Sequence, residues 1–286
     1  MRFGIVILPD QPWSQGGDRW RRAESYGFDH AWTYDHVAWR SLADGPWFDA
    51  VPTLTAAALS TSRIRLGTLV ANPSIRHPIS FARQLMALDD ISGGRFTLGV
   101  GAGASVLDPT ILGETPLAPR ALVDRFSEFL ELLDALLTTD RVNFSGEYYN
   151  AVDARTLPGC VQQPRIPFLV AANGPRSLRL AARYGQGWVT TGPKSDDLEA
   201  WWKAVAELIA RHRDLTGESI VDRALTLDSA PVFSLSSVDA FEDATGRAAE
   251  LGFTDVITHW PRPSDWYAGD IDVLEDVVTS VIPRYR

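Results

Sequence analysis

Arg95-Phe96-Thr97-Leu98-Gly99-Val100-Gly101-Ala102-Gly103 is the stretch whose reading decides the fold. A β-rich run over 96–100 empties into three alternate glycines, so a buried strand ends where backbone must come close to something. Gly99, Gly101 and Ala104 also satisfy the dinucleotide fingerprint G-x-G-x-x-G/A, which needs a helix opening straight out of the turn. Pro109 and Gly113 interrupt the residues that would form that helix, and Asp124, the candidate ribose acid, falls on a later helix. Locally, a glycine turn that makes room for a ligand and one that only packs both remain open.

Working outward, strand and helix signals alternate. Strands are predicted over 3–8, 30–34, 64–71, 96–100, 167–172, 188–191, 224–233 and 255–258. The helices that follow them are predicted over 19–26, 52–59, 79–91, 121–137, 176–184, 198–212, 238–251 and 271–281. Residues 142–151, with Gly146, read as a hairpin-like insertion. Eight such units in 286 residues predict a single-domain α/β protein over 1–286, a (β/α)8 TIM barrel with small loop insertions. In that architecture the site lies at the C-terminal ends of the strands.

Composition narrows the partners. A net charge of −9 argues against nucleic acid or an anionic membrane surface, leaving small molecules. The single Cys160 excludes an intrachain disulfide, and no apolar run reaches the length of a membrane span, so a cytoplasmic protein is expected. The five histidines show no metal-ligand spacing, no metal is expected, and no G-x-S-x-G nucleophile elbow is present. His77, next to Arg76, reads as a structural turn residue; His30 starts a strand and points away from the active end.

Seven motifs in order carry a family resemblance: Phe3-Gly4-Ile5, Gly27-Phe28-Asp29-His30-Ala31-Trp32 with Asp35-His36, Ile64-Arg65-Leu66-Gly67-Thr68, Arg76-His77-Pro78, the glycine stretch, Ala171-Ala172-Asn173-Gly174-Pro175, and Gly185-Gln186-Gly187-Trp188. Together they resemble the bacterial luciferase-like family of flavin and deazaflavin oxidoreductases, most of all its F420-dependent members. The resemblance implies a barrel holding F420, or alternatively FMN, with Asp35 beside the ring and His36 by its reacting carbon. Imidazole suits proton transfer near neutrality. It further implies a cis peptide at Leu69-Val70, a cofactor contact at Asn72, and passage of the cofactor's side chain along Gly101, Ala102 and Gly103. The Asn173-Gly174-Pro175 turn would meet the phosphate, because a helix N-terminus favours an anion.

One departure matters. The sugar-phosphate dehydrogenase branch of the resemblance has a glutamate directly after the glycines, where this chain has Ala104, although Thr191 and Lys194 resemble substrate-side residues of that branch. Trp13 follows the first predicted strand, Trp39 and Trp47 the second, and Trp260 and Trp266 the eighth, an aromatic set suited to a hydrophobic substrate. The expectation is therefore hydride transfer between F420 and a small hydrophobic organic substrate, with His36 and Asp35 catalytic and Trp13, Trp39, Trp47, Thr191 and Trp260 binding substrate. The alternatives are an FMN-dependent monooxygenase and a non-catalytic flavin-binding protein. A homodimer is compatible with any of them.

Overall fold

Short apolar runs that stop at Gly, Pro or Asp, each followed by an amphipathic segment, suit a parallel sheet covered by helices. A computed structural model, describing residues 1–217 and 222–286, realises the pattern. In chain order its elements are β1 (Arg2–Val6), α1 (Trp13–Gly16), α2 (Asp18–Ser25), β2 (His30–Thr33), α3 (Ala50–Ser60), β3 (Arg65–Thr68), α4 (Pro78–Ile91), β4 (Phe96–Val100), α5 (Leu107–Ile111) and α6 (Pro119–Thr138). They continue with β5 (Arg141–Ser145), β6 (Asn150–Arg155), β7 (Phe168–Ala171), α7 (Pro175–Tyr184), β8 (Gly187–Thr190), α8 (Leu198–Thr216), β9 (Asp222–Thr226), α9 (Val238–Leu251), β10 (Asp255–His259) and α10 (Ile271–Ser280).

Among the described residues the strands bond in the order β1-β10-β9-β8-β7-β4-β3-β2 and close into a barrel, with β5 and β6 as a separate pair. This is the expected TIM barrel, and β5 and β6 are the expected hairpin insertion. The dinucleotide-fold reading of the glycines falls away. The sheet is closed, and β4 leads into a loop and the five-residue α5, which contains Pro109.

The chain divides into two compact units, one of Met1–Ile7, Arg22–Trp32 and Val170–Arg286, the other of Leu8–Arg21 and Thr33–Leu169. In the first, Gly4 of β1 pairs with His30 of β2 and Ile257 of β10. A Cβ at Gly4 would lie 2.2 Å from the His30 ring, so glycine lets the imidazole fill the interior. His30 is structural there: Nε2 lies 3.0 Å from Asp255, Nδ1 accepts the Trp32 indole N–H at 2.6 Å, and Arg2 binds the same carboxylate.

In the second unit, β3 and β4 approach so closely that a Cβ on Gly99 would lie 1.9 Å from the Thr68 carbonyl oxygen. Helices α4 and α6 pack through buried Phe81, Phe129, Leu130 and Leu133. The β5–β6 hairpin is fastened to α6 by Glu128, whose carboxylate accepts the backbone N–H groups of Glu147, Tyr148 and Tyr149.

Two boundaries differ from expectation for identifiable reasons. The strand predicted over 224–233 ends at Thr226, because Pro231 has no N–H to donate and Asp228 turns the chain by accepting the Ser234 N–H at 2.9 Å. The helix predicted over 52–59 starts at Ala50, where the Asp49 side chain caps it by accepting from Val51.

Candidate active site

Asp35 and His36 follow β2, and their side chains have different partners. Asp35 is 1 % exposed and accepts both N–H arms of Arg76, from Nε at 3.0 Å and Nη2 at 2.6 Å. Arg76 also reaches Asp49 at 2.8 Å. Burial pushes the Asp35 carboxyl above its ordinary range, against the pull of the Arg76 hydrogen bonds and charge. Burial lowers the Arg76 pKa, but the bonds and charges of Asp35 and Asp49 raise it further, so the guanidinium stays protonated. With both oxygens engaged by Arg76, Asp35 ties the residues after β2 to the turn before α4.

The His36 side chain is 18 % exposed, and its Nδ1 lies 2.6 Å from Oδ2 of Asp108, a carboxylate 1 % exposed at the start of α5. The other Asp108 oxygen accepts the Val37 N–H at 2.9 Å, so one carboxylate sets both the ring and the backbone beside it. An ionised Asp108 accepts from Nδ1–H, which fixes the tautomer that presents Nε2 as an acceptor. The Trp47 indole donates to the His36 carbonyl at 2.9 Å, tying the tryptophan loop to the same residue.

The remaining expected residues of this unit lie around the strand ends. The Leu69-Val70 peptide is cis. Asn72 is buried, donates to the Asp35 carbonyl at 3.3 Å and accepts the Ser74 N–H at 2.9 Å. Gly101 continues the ladder through its N–H to the Ala71 carbonyl at 2.9 Å, and Ala102 is half-buried beside it. Gly103 turns with φ +79°, and a Cβ there would stand 2.8 Å from Asn72 Oδ1 and 3.0 Å from Ser74 Oγ. Trp39 is buried edge-on to Tyr34 at 5.2 Å, and Trp13 is partly exposed.

In the other unit, Asn173 and Gly174 precede α7, which opens with Pro175. Asn173 accepts the Thr190 hydroxyl at 2.7 Å and donates to the Gly192 carbonyl, binding the end of β7 to the end of β8. The Gly174 N–H points to Ser177 Oγ at 3.3 Å. Thr191 is exposed, its hydroxyl turned to the Gly192 carbonyl. Trp260 is 5 % exposed; its ring stacks on Tyr26 of the α2 end at 6.2 Å with Arg22 over it, so it packs on helix residues. His259 is also paired, its Nδ1 lying 2.8 Å from buried Asp228.

Sequence reasoning missed Asp108 and left Arg76 without a role. Asp108 lies in a segment whose Pro109 argued against a helix, and its partner is 72 residues away, so no local periodicity marks the pair. Arg76, in the turn before α4, carried a signal in its position within the Arg76-His77-Pro78 motif.

The family described as luciferase-like monooxygenase matches residues 1–261. An F420-dependent glucose-6-phosphate dehydrogenase of Beutenbergia cavernae is 39% identical over 198 residues, 66% of this chain and 56% of that protein. The chain spans about half the length of this relative and of two others of the same description. An uncharacterized protein of Mycobacterium tuberculosis is 30% identical across 96% of this chain and 97% of its own. The structure of an F420-dependent secondary alcohol dehydrogenase in complex with an F420-acetone adduct shares the fold, with a TM-score of 0.80 at 19% identity over 100% of this chain and 99% of that one. Since the family match takes in nearly every element from β1 through β10, this chain belongs to the bacterial luciferase-like family.

Proposed function

We propose that the protein is an F420-dependent oxidoreductase that transfers hydride between the deazaflavin and a small hydrophobic organic substrate. The observation that carries this reading is His36, set at the C-terminal end of β2 with Nδ1 held by buried Asp108. A group so oriented serves proton transfer, which must accompany hydride transfer to or from a carbon–oxygen or carbon–nitrogen bond.

The residues present fit a flavin-type group. Leu69, Val70, Asn72, Gly101, Ala102 and Gly103 line the ends of β3 and β4, where Gly103 leaves no room for a side chain of its own. The Asn173-Gly174-Pro175 turn would bring a phosphate to the first N–H groups of α7, those that follow Pro175. When bound, the deazaflavin supplies the hydride donor or acceptor. His36 Nε2 takes or gives the accompanying proton, Asp108 fixes the ring, and Asp35 with Arg76 keeps the loop from shifting. Trp39 and Trp47, with Trp13, Thr191 and Trp260, remain the substrate-side proposal, and the buried position of Trp260 makes it the weakest member. Ala104 leaves the glycine loop without the acid that the sugar-phosphate branch of the resemblance has there, which favours another substrate over the glucose 6-phosphate of the Beutenbergia relative.

The test is fluorescence titration of the purified protein with F420 and FMN, followed by turnover of ketones, enones, imines and glucose 6-phosphate. Tight F420 binding with ketone or imine turnover supports the proposal. Co-purified FMN and oxygen-dependent turnover would replace it with the FMN monooxygenase reading, which the family description favours. Among the described residues no helix is long and apolar enough to cross a membrane. A cytoplasmic protein, as monomer or homodimer, belongs to the same proposal, and light scattering settles its mass.

A further inference from the structure

The glycine stretch ends against an arginine that the proposed chemistry does not use. Ser74 Oγ stands 3.0 Å from where a Gly103 Cβ would be, and it accepts from Arg125 Nη2 of α6 at 2.9 Å. Arg125 Nε is buried and has no hydrogen-bond partner. Tyr149, at the hairpin turn before β6, is 7 % exposed with its ring edge-on to His77 and Phe129. Its hydroxyl is buried and equally without a partner, and the Arg125 charge acts on it, as do those of Glu128 and Glu114.

Other arginines of this unit are paired differently. Arg76 has Asp35 and Asp49, and Arg165 has Asp134 at 2.6 Å. Among the described residues Arg125 has no carboxylate within ion-pair distance. Along α6, Asp124 is paired with Arg120 at 3.9 Å, and Glu128 is occupied by the three hairpin N–H groups. Buried guanidinium N–H and hydroxyl donors without acceptors are costly, and the two together, with Arg125 against Ser74 and its charge acting on Tyr149, call for an acceptor carrying negative charge.

We infer that Arg125, Ser74 and Tyr149 form an oxyanion-binding site, taking a phosphate or carboxylate of a ligand that lies along Gly101 to Gly103. The guanidinium edge made by Nε and one terminal nitrogen matches two oxygens of such a group in a fork. The Ser74 hydroxyl, accepting from Arg125, keeps its own proton to donate, and the Tyr149 hydroxyl supplies another donor. Two sources share this chemistry: an acidic group of the F420 side chain other than the one met by the α7 turn, and a separate anionic substrate. Assigning the site to the cofactor rests on the F420 reading; the oxyanion site itself does not.

The experiment measures binding of F420, of the phosphate-free deazaflavin riboside and of inorganic phosphate by fluorescence and thermal shift. It uses the wild type, Arg125→Gln, Arg125→Lys and Tyr149→Phe. For a cofactor side chain, Arg125→Gln weakens F420 by about 10- to 100-fold, leaves the riboside nearly unchanged, and is partly rescued by Arg125→Lys. Inorganic phosphate then competes with F420 and raises the wild-type melting temperature, an effect lost in Arg125→Gln. If phosphate stabilises the wild type through Arg125 while F420 does not bind, the site stands with an anionic substrate and the F420 reading fails. Equal loss of F420 and riboside in all variants overturns the site, as does wild-type F420 affinity in them together with no response to phosphate. Tyr149→Phe and Arg125→Lys carry the test should Arg125→Gln not fold.

Discussion

Asp108→Asn is the change that separates a positioned imidazole from one that merely lies in the loop. The substitution is isosteric at a side chain 1 % exposed, so it removes charge and exchanges one acceptor for a donor without opening a cavity. If the amide oxygen keeps the Val37 N–H now held at 2.9 Å, its NH2 must face His36 Nδ1, 2.6 Å from the present carboxylate. A donor there forces the proton onto Nε2, the nitrogen the mechanism needs as acceptor. The flipped amide would instead set NH2 against the Val37 N–H, at a cost of about 1–3 kcal/mol. The flip would restore an acceptor for Nδ1–H, but that cost keeps the unflipped amide and the wrong tautomer dominant, and losing a positioned acid or base costs roughly 10²- to 10⁴-fold in rate, about 3–5 kcal/mol of barrier. The assay is single-turnover change in deazaflavin absorbance across pH, with F420 affinity measured in parallel. The expected result is a large fall in rate, an altered pH profile and affinity within about threefold of wild type, because Asp108 touches His36 and not the glycine cradle. A folded variant with wild-type rate and pH profile refutes the reasoning.

Arg76→Met leaves the buried Asp35 carboxylate without its fork and should destabilise the protein by about 3–5 kcal/mol, read as a lower urea midpoint; a loss under about 1 kcal/mol would mean that Asp35 finds other donors. Gly99→Ala must push β3 from β4, since the added carbon would meet the Thr68 carbonyl at 1.9 Å, and a cost of about 1–3 kcal/mol or more is expected by chemical denaturation. Acid should destabilise in two windows. His212, 1 % exposed, stacked on Trp188 at 4.1 Å and without a hydrogen-bond partner, is pushed down to about 4 by burial and by Arg223 and Arg213. Its folded value lies below the ordinary 6.5, so its contribution is complete above 6.5 and about 3 kcal/mol is lost as pH falls toward 4. Asp255 is held at about 2 because the bonds from His30, Arg2 and Thr254 outweigh its burial, so its contribution is complete above 3.8 and lost as pH falls through 2. His212→Phe should flatten the upper window and leave the lower one in place.

The barrel was legible because each strand's stop is a local signal. Asn72-Pro73 after β3, the glycines after β4 and Gly174-Pro175 after β7 announce their turns in neighbouring residues. The end of β9 was not, since it depends on Asp228 reaching Ser234 and on bonds from Thr258 and the His259 backbone, 30 and 31 residues on. The site divides in the same way. Asp35 and His36 were singled out from their position after β2, whereas the pairing of Arg76 with Asp35, Asp108 with His36 and Arg125 with Ser74 arises by closure of segments distant in sequence. Sequence also assigned one duty to glycines that have several. Gly99 admits β3, Gly101 continues the ladder, and Gly103 takes a left-handed turn against Asn72 and Ser74. A valine at Gly103 would therefore disturb backbone before it met any ligand.

The loop after β4 also bears on which group handles the proton. In the sugar-phosphate branch that the sequence resembles, a carboxylate follows the glycines directly, and here that place is exposed Ala104. The loop still brings a carboxylate to the region, four residues later, but Asp108 is buried and both of its oxygens are spent on Val37 and His36. It cannot reach a substrate without giving up those bonds. Under the proposed function, a loop that holds its acid in this way leaves one proton-carrying side chain where the other arrangement has two, and His36 would serve both directions of transfer. Substrates whose reaction needs a single proton next to the transferred hydride, as carbonyl and imine reductions do, suit that arrangement better than those needing an acid and a base on opposite sides.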